Sequence, residues 1–290
     1  MKLYRGFWFW GIGTVVILLP FFLFVLLGWP GKENPCINEK PNGCFCEEFT
    51  RADVISGKPG VRQPVNTWFN LYSIATAFLV AWFVYSDRKE LGEGTPQNLM
   101  KSNTLMPDVY IFAVLFLGLG SMWFHASIKE WGGVFDGLSM YIYASFLVWY
   151  SWRRLWNCSI FFWVGYPLTV LGFTLMHNRI PSFVLILMLV IAYVIVEVSI
   201  WIKTGRVMQR SSTQNVTVVL WVSAVVAILM ATFFWKLSQT DGLMCWPKSA
   251  FQPHGLLWHP LAGLMAVLLY FYWRESEDPQ AAEDKCLPRS

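Results

Sequence analysis

Ser121, His125, Asp136, His254 and His259 are the residues of this 290-residue chain whose types and spacing could do chemistry. Ser121 and His125 lie four apart in GSMWFHAS. On a helix they stack on one face, with Ser121 about 6 Å further along the axis at a rise of ~1.5 Å per residue. His254 and His259 bracket the hexapeptide HGLLWH near the C-terminus. Three neutral imidazoles leave a fourth tetrahedral position on zinc for water, the arrangement of catalytic rather than structural sites. Water bound there ionises near neutral pH. A carboxylate such as Asp136 can carry its proton to a leaving group, and a hydroxyl such as Ser121 can donate to a developing oxyanion. That chemistry is hydrolysis of an amide or an ester. Taken singly, each residue has a structural alternative: His125 bonding a neighbouring helix, Asp136 capping the start of its own.

The elements that must position these residues are membrane-spanning. Hydrophobic residues make up 56% of the chain and charged residues 14%, well below the roughly 25% charged of a soluble domain. Apolar runs of spanning length recur, at roughly 7–29, 65–86, 107–126, 134–152, 156–176, 181–202, 215–236 and 254–273. Turn-forming connections such as GEGTPQN and HNRIP separate them. The expected fold is an all-α polytopic bundle of seven helices with one additional N-terminal helix. The organisation is an anchor helix (1–29), an extracytoplasmic Cys-containing segment (30–64), the seven-helix domain (65–273) and a cytoplasmic tail (274–290). The first span, at about 23 residues and with no small-residue cleavage site, reads as a retained helix rather than a signal peptide. The net charge of +4 comes with no basic cluster large enough for nucleic acid. Gly/Pro-broken helices in matching halves, the mark of many transporters, are not seen.

Lys2, Arg5 and the basic connections carrying Arg88, Lys89, Lys101, Arg153, Arg154, Lys203, Arg206 and Arg210 put both termini in the cytoplasm. His125, Asp136, His254 and His259 then share one layer at the extracytoplasmic edge. Ionisable groups inside a membrane face the bundle interior or a cavity and are functional candidates by default. His177, in the turn MHNRIP, reads as an ordinary loop residue. Cys36, Cys44, Cys46 and Cys245 fall on the oxidising side, whereas Cys158 and Cys286 fall where thiols stay reduced. Either the outer segment is bridged to the loop before the last helix, Cys46 to Cys245, or Cys36 and Cys44 form a local bridge. The sequons at Asn157 and Asn215 lie on the inner edge, so glycosylation there would overturn this orientation.

Ser121-x-x-x-His125, then Asp136, then the paired histidines of HGLLWH resemble the alkaline ceramidase family, part of the CREST group of seven-helix membrane hydrolases. CEE at 46–48 and NTWFN at 66–70 extend the resemblance, which reaches from about Cys46 to Tyr272. It implies zinc on His125, His254 and His259, with Ser121 and Asp136 assisting hydrolysis of the ceramide amide. It thus implies a membrane lipid as substrate.

The sequence departs from the family in three places. The last two histidines are five apart instead of four, which on a regular helix sets them about 140° apart. A widened turn ahead of Pro260, or His254 in the preceding loop, would bring both to one ion. The family also carries an acidic calcium segment before its first core helix. Here the first acidic position is Cys44 and a later one is Gln63, leaving Glu47 and Glu48 as calcium candidates on a weakened site. The N-terminal helix is the third departure. An ester-cleaving lipid hydrolase, or a receptor or scaffold with structural zinc, would use the same constellation.

Overall fold

The computed structural model describes residues 7–39, 45–91, 98–177, 179–204, 212–240, 242–276 and 286. They form eleven α-helices and no extended strand, with one isolated bridge between Glu33 and Lys129. The long helices are α1 (Phe7–Leu27), α5 (Leu71–Leu91), α6 (Met106–Ser127), α7 (Glu130–Trp156), α8 (Ser159–Met176), α9 (Ser182–Lys203), α10 (Ser212–Leu237) and α11 (His259–Glu275). Short helices α2 (Cys36–Glu39), α3 (Arg51–Ser56) and α4 (Pro64–Phe69) lie between α1 and α5. Pro64 opens α4, where its missing N–H and fixed φ cost nothing.

Among the described residues, seven segments are long and apolar enough to cross a membrane. The exception among the long helices is α7, which is long enough at 27 residues but carries too much polarity. It is polar because of its place. Ser139, Ser145, Ser151, Arg153 and Arg154 of α7 are all buried, against α6, α8 and α9. The apolar helices α1, α8, α9 and α10 instead leave rows of large side chains exposed, such as Leu171, Ile195 and Leu229. A bundle in lipid gains nothing by hiding apolar surface from its solvent, so polarity goes inward.

Successive helices alternate in direction, and the two ends of the bundle differ. At the end away from the histidines, charges pair with one another. Glu197, fully buried, accepts from Arg154 Nη1 (3.0 Å), Ser151 Oγ (2.5 Å), Tyr272 OH (2.6 Å) and Trp273 Nε1 (3.3 Å). Arg88 pairs with Asp108 at 2.8 Å and Arg274 with Asp87 at 2.6 Å. Asn98 Nδ2 donates to the final carbonyls of α11, those of Trp273, Arg274 and Ser276, which a helix end leaves unsatisfied. Cys158 and Cys286 correct a sequence expectation: instead of remaining thiols they form a disulfide, with Cα atoms 5.3 Å apart. Cys158 stands at the N-cap of α8 at this end, where Cys286 reaches it.

At the other end the segment after α1 is laid across the α6–α7 turn. Trp29 N donates to Gly57 O (2.8 Å), Asn34 N to Ile128 O (3.0 Å), and buried Lys129 Nζ to Val54 O (2.7 Å). Gly28, at φ 108°, passes so close to the Gly57 carbonyl that any Cβ would collide with it. Phe21 and Phe24 of α1 pack edge-on against Trp123 of α6, fixing the additional helix to the bundle.

Candidate metal centre

His125 sits in the last turn of α6, and α6 ends two residues later at Ser127. His254 opens a single π-helical turn, His254–Trp258, and His259 opens α11. In that turn the His259 N–H donates to the His254 carbonyl, five residues back. One turn therefore takes five residues, and the two imidazoles fall on the same face. Single π turns of this kind gather at functional sites. The widened turn is thus the route by which the five-residue spacing is accommodated, with Pro260 just beyond it unable to donate to the turn.

The three histidines are buried, and one ring nitrogen of each lies within 4.8 Å of the others. His125 Nε2 and His254 Nε2 are 3.2 Å apart. His125 Nδ1 meets Gln63 Oε1 at 2.7 Å, and Asn70 Nδ2 lies 3.3 Å from His259 Nε2. Phe45 stacks on His254 with ring centroids 4.4 Å apart, and Tyr72 on His259 at 5.8 Å. Three nitrogen donors aimed at one small volume, walled by aromatic rings, are a donor set suited to a divalent ion. His254 Nδ1 is buried with no hydrogen-bond partner. The group can hold a metal ion.

Ser121 and Asp136 line the space beside this group. Gly120 lets α6 and α7 close together here: an added Cβ would stand 2.6 Å from Phe135 O and 2.8 Å from Ser139 Cβ. The Asp136 carboxyl faces the Ser121 hydroxyl. Both border a cavity that reaches His259 and Tyr72, and a second, larger one that reaches His254. The walls of both are mainly apolar, with Met140, Ile186, Val190, Ile228 and Trp258 common to the two.

Other polar residues of the site have no sequence signature. His177, read as an ordinary loop residue, lines the larger cavity beside Asp136, with its Nδ1 3.0 Å from Tyr141 OH. It fits there because Gly137 has no side chain; a Cβ would strike the imidazole. Gln63 and Asn70 flank the short helix α4 and reach the histidines only through the fold. The NTWFN run pointed to that region without giving either residue a role.

Glu47 is buried and its carboxylate accepts from Val65 N (2.7 Å) and Asn66 N (2.8 Å) at the start of α4. Burial pushes its carboxyl above the usual range, and those two N–H groups pull it back down. Glu48 is exposed, and its N–H donates to Pro247 O. A disulfide joins Cys46 to Cys245, tying this strip to the loop before the π turn. Cys36 is disulfide-bonded as well, while Cys44 lies outside the described residues.

No curated protein matches the sequence. A family model described as Ceramidase matches residues 59–285, a stretch that runs from just before α4 past the end of α11 and contains all three histidines, Ser121 and Asp136. With most of its length and its whole candidate metal centre inside that match, the chain belongs to the ceramidase family.

Proposed function

We propose that this protein is a zinc-dependent intramembrane hydrolase that cleaves the amide of ceramide, or of a related N-acyl sphingolipid, to a sphingoid base and a fatty acid. The observation that carries the reading is the convergence of three buried imidazoles beside cavities that Ser121 and Asp136 also line. His125, His254 and His259 would hold the ion, and zinc bound there would supply a water that ionises near neutral pH. Asp136 takes up the proton and returns it to the amide nitrogen as the C–N bond breaks. Ser121, one turn deeper than His125, donates to the carbonyl oxygen as negative charge builds on it. The apolar cavity walls shelter the acyl and sphingoid chains and exclude bulk water. That keeps the electrostatics of the site strong.

We place the histidine end on the extracytoplasmic side, because Arg88, Lys89, Arg153, Arg154 and Lys203 all lie at the opposite helix ends. Purified protein incubated with ceramide should release fatty acid and sphingoid base in equal amounts, and His125→Ala should abolish both. Unchanged turnover in that variant would sink the metal-hydrolase reading. Retained zinc with no hydrolysis of any amide or ester lipid would favour a receptor or scaffold instead.

A further inference from the structure

The segment that in relatives would carry calcium is bonded otherwise in this chain. Calcium takes six to eight oxygen ligands, several of them anionic. Here both carboxylate oxygens of Glu47 accept backbone N–H groups, and its carbonyl accepts from Gln63 Nε2 at 2.9 Å. Glu48 is exposed, and the acidic position near α4 is the neutral Gln63. The unpartnered oxygen on Asn66 faces Gly255 of the π turn. The residues present do not fit calcium.

Gln63 links this strip to the metal centre. It is fully buried, and its amide orientation is forced. The Glu47 carbonyl can only accept, so the group facing it is the NH₂, and the oxygen is the atom 2.7 Å from His125 Nδ1. An amide oxygen can only accept in turn, so His125 carries its proton on Nδ1. Its Nε2 lone pair is then free for an ion. The Gln63 backbone N–H also donates to His125 O at 3.1 Å, so one residue fixes both the ring and the main chain of this ligand. Partners of this kind set the tautomer and orientation of metal-bound histidines.

We propose that Gln63 is the positioning residue of the metal centre, and that the Glu47–Gln63–His125 chain replaces calcium in holding the outer segment against α4. The inference rests on the metal reading above and deepens it. The test reads zinc and melting, not turnover. In calcium-depleted buffer and again with millimolar calcium, the wild-type protein should keep the same melting temperature and the same zinc content. Against a competing chelator, Gln63→Leu should release zinc at about 10–100-fold lower chelator concentration. Gln63→Glu, which keeps an acceptor opposite Nδ1–H but gives up the donor to the Glu47 carbonyl, should recover most of the zinc retention and melt at a lower temperature than wild type. Should Gln63→Leu not fold, Gln63→Asn, whose acceptor is drawn back by one methylene, takes its place with the same expectation. Zinc loss or melting at lower temperature without calcium in the wild type would overturn the calcium-free half. Zinc retention unchanged in Gln63→Leu or Gln63→Asn would overturn the positioning role. A protein that passes both tests yet cleaves no lipid would refute the proposed function and leave this inference standing.

Discussion

The two ends of the bundle both bury polar groups and use them differently. At the end holding Glu197, acids and bases pair: Arg154 with Glu197, Arg88 with Asp108, Arg274 with Asp87. At the end holding the histidines, three bases point at one another with no acid among them, and His254 Nδ1 has no partner. Buried polar groups that satisfy each other are a device for holding helices in place. Groups of one kind aimed at a common point can take an ion from outside. The contrast separates scaffold from site without reference to any relative.

That contrast can be broken from either side. The largest effect is expected from His259→Ala. Metal content measured by elemental mass spectrometry should fall from about one ion per chain to near none, with lipid turnover lost, while the melting temperature moves little. Glu197→Ala should do the reverse. Removing the buried carboxylate that Arg154 pairs with costs about 3–5 kcal/mol, seen as a lower melting temperature, with metal stoichiometry of the folded fraction unchanged. If Glu197→Ala emptied the metal site, the two ends would not be independent. Gly118→Ala tests the seam between them: its Cβ would stand 2.6 Å from Asn70 O and collide with Ser73. Overpacking there should cost about 1–3 kcal/mol. Because Asn70 neighbours His259, it should also loosen metal retention, which a chelator titration would detect.

The smallest effect is expected outside the membrane, at Asp53. Lys58, 2.7 Å away, holds its carboxyl below the usual range. A depressed folded pKa contributes stability at neutral pH that is lost as pH falls through it. Exposure and solvent screening make that contribution small. Asp53→Asn should leave the neutral-pH melting temperature unresolved from wild type and slightly flatten its fall in acid. A clear drop at neutral pH would mean the outer segment depends on this pair more than on its buried bonds.

Helix existence was legible in the sequence because spanning a membrane demands long apolar runs, and the expected spans agree with the observed helices to within a few residues at most ends. Even α7, polar as it is, was legible from the apolar residues of 134–152. The histidines, Ser121 and Asp136 were legible as a layer, since direction alternates from helix to helix and sets which ends meet. Their proposed chemistry rests on residue type and, more, on the family resemblance.

What the sequence could not supply was whatever depends on one helix approaching another. Five-residue spacing reads as a misfit on a regular helix, and only the π turn, held by the His259 N–H to the His254 carbonyl, puts both rings on one face. Gln63 is 62 residues from His125, and His177 reaches the cavity only where Gly137 clears room for it. Cys158 and Cys286, 128 residues apart, read as two separate thiols. Composition and period determine local structure and the side of the membrane on which a residue falls, because both act along a single helix. Partner choice at a buried polar atom is decided by which surfaces pack together, and that is set by the tertiary structure alone.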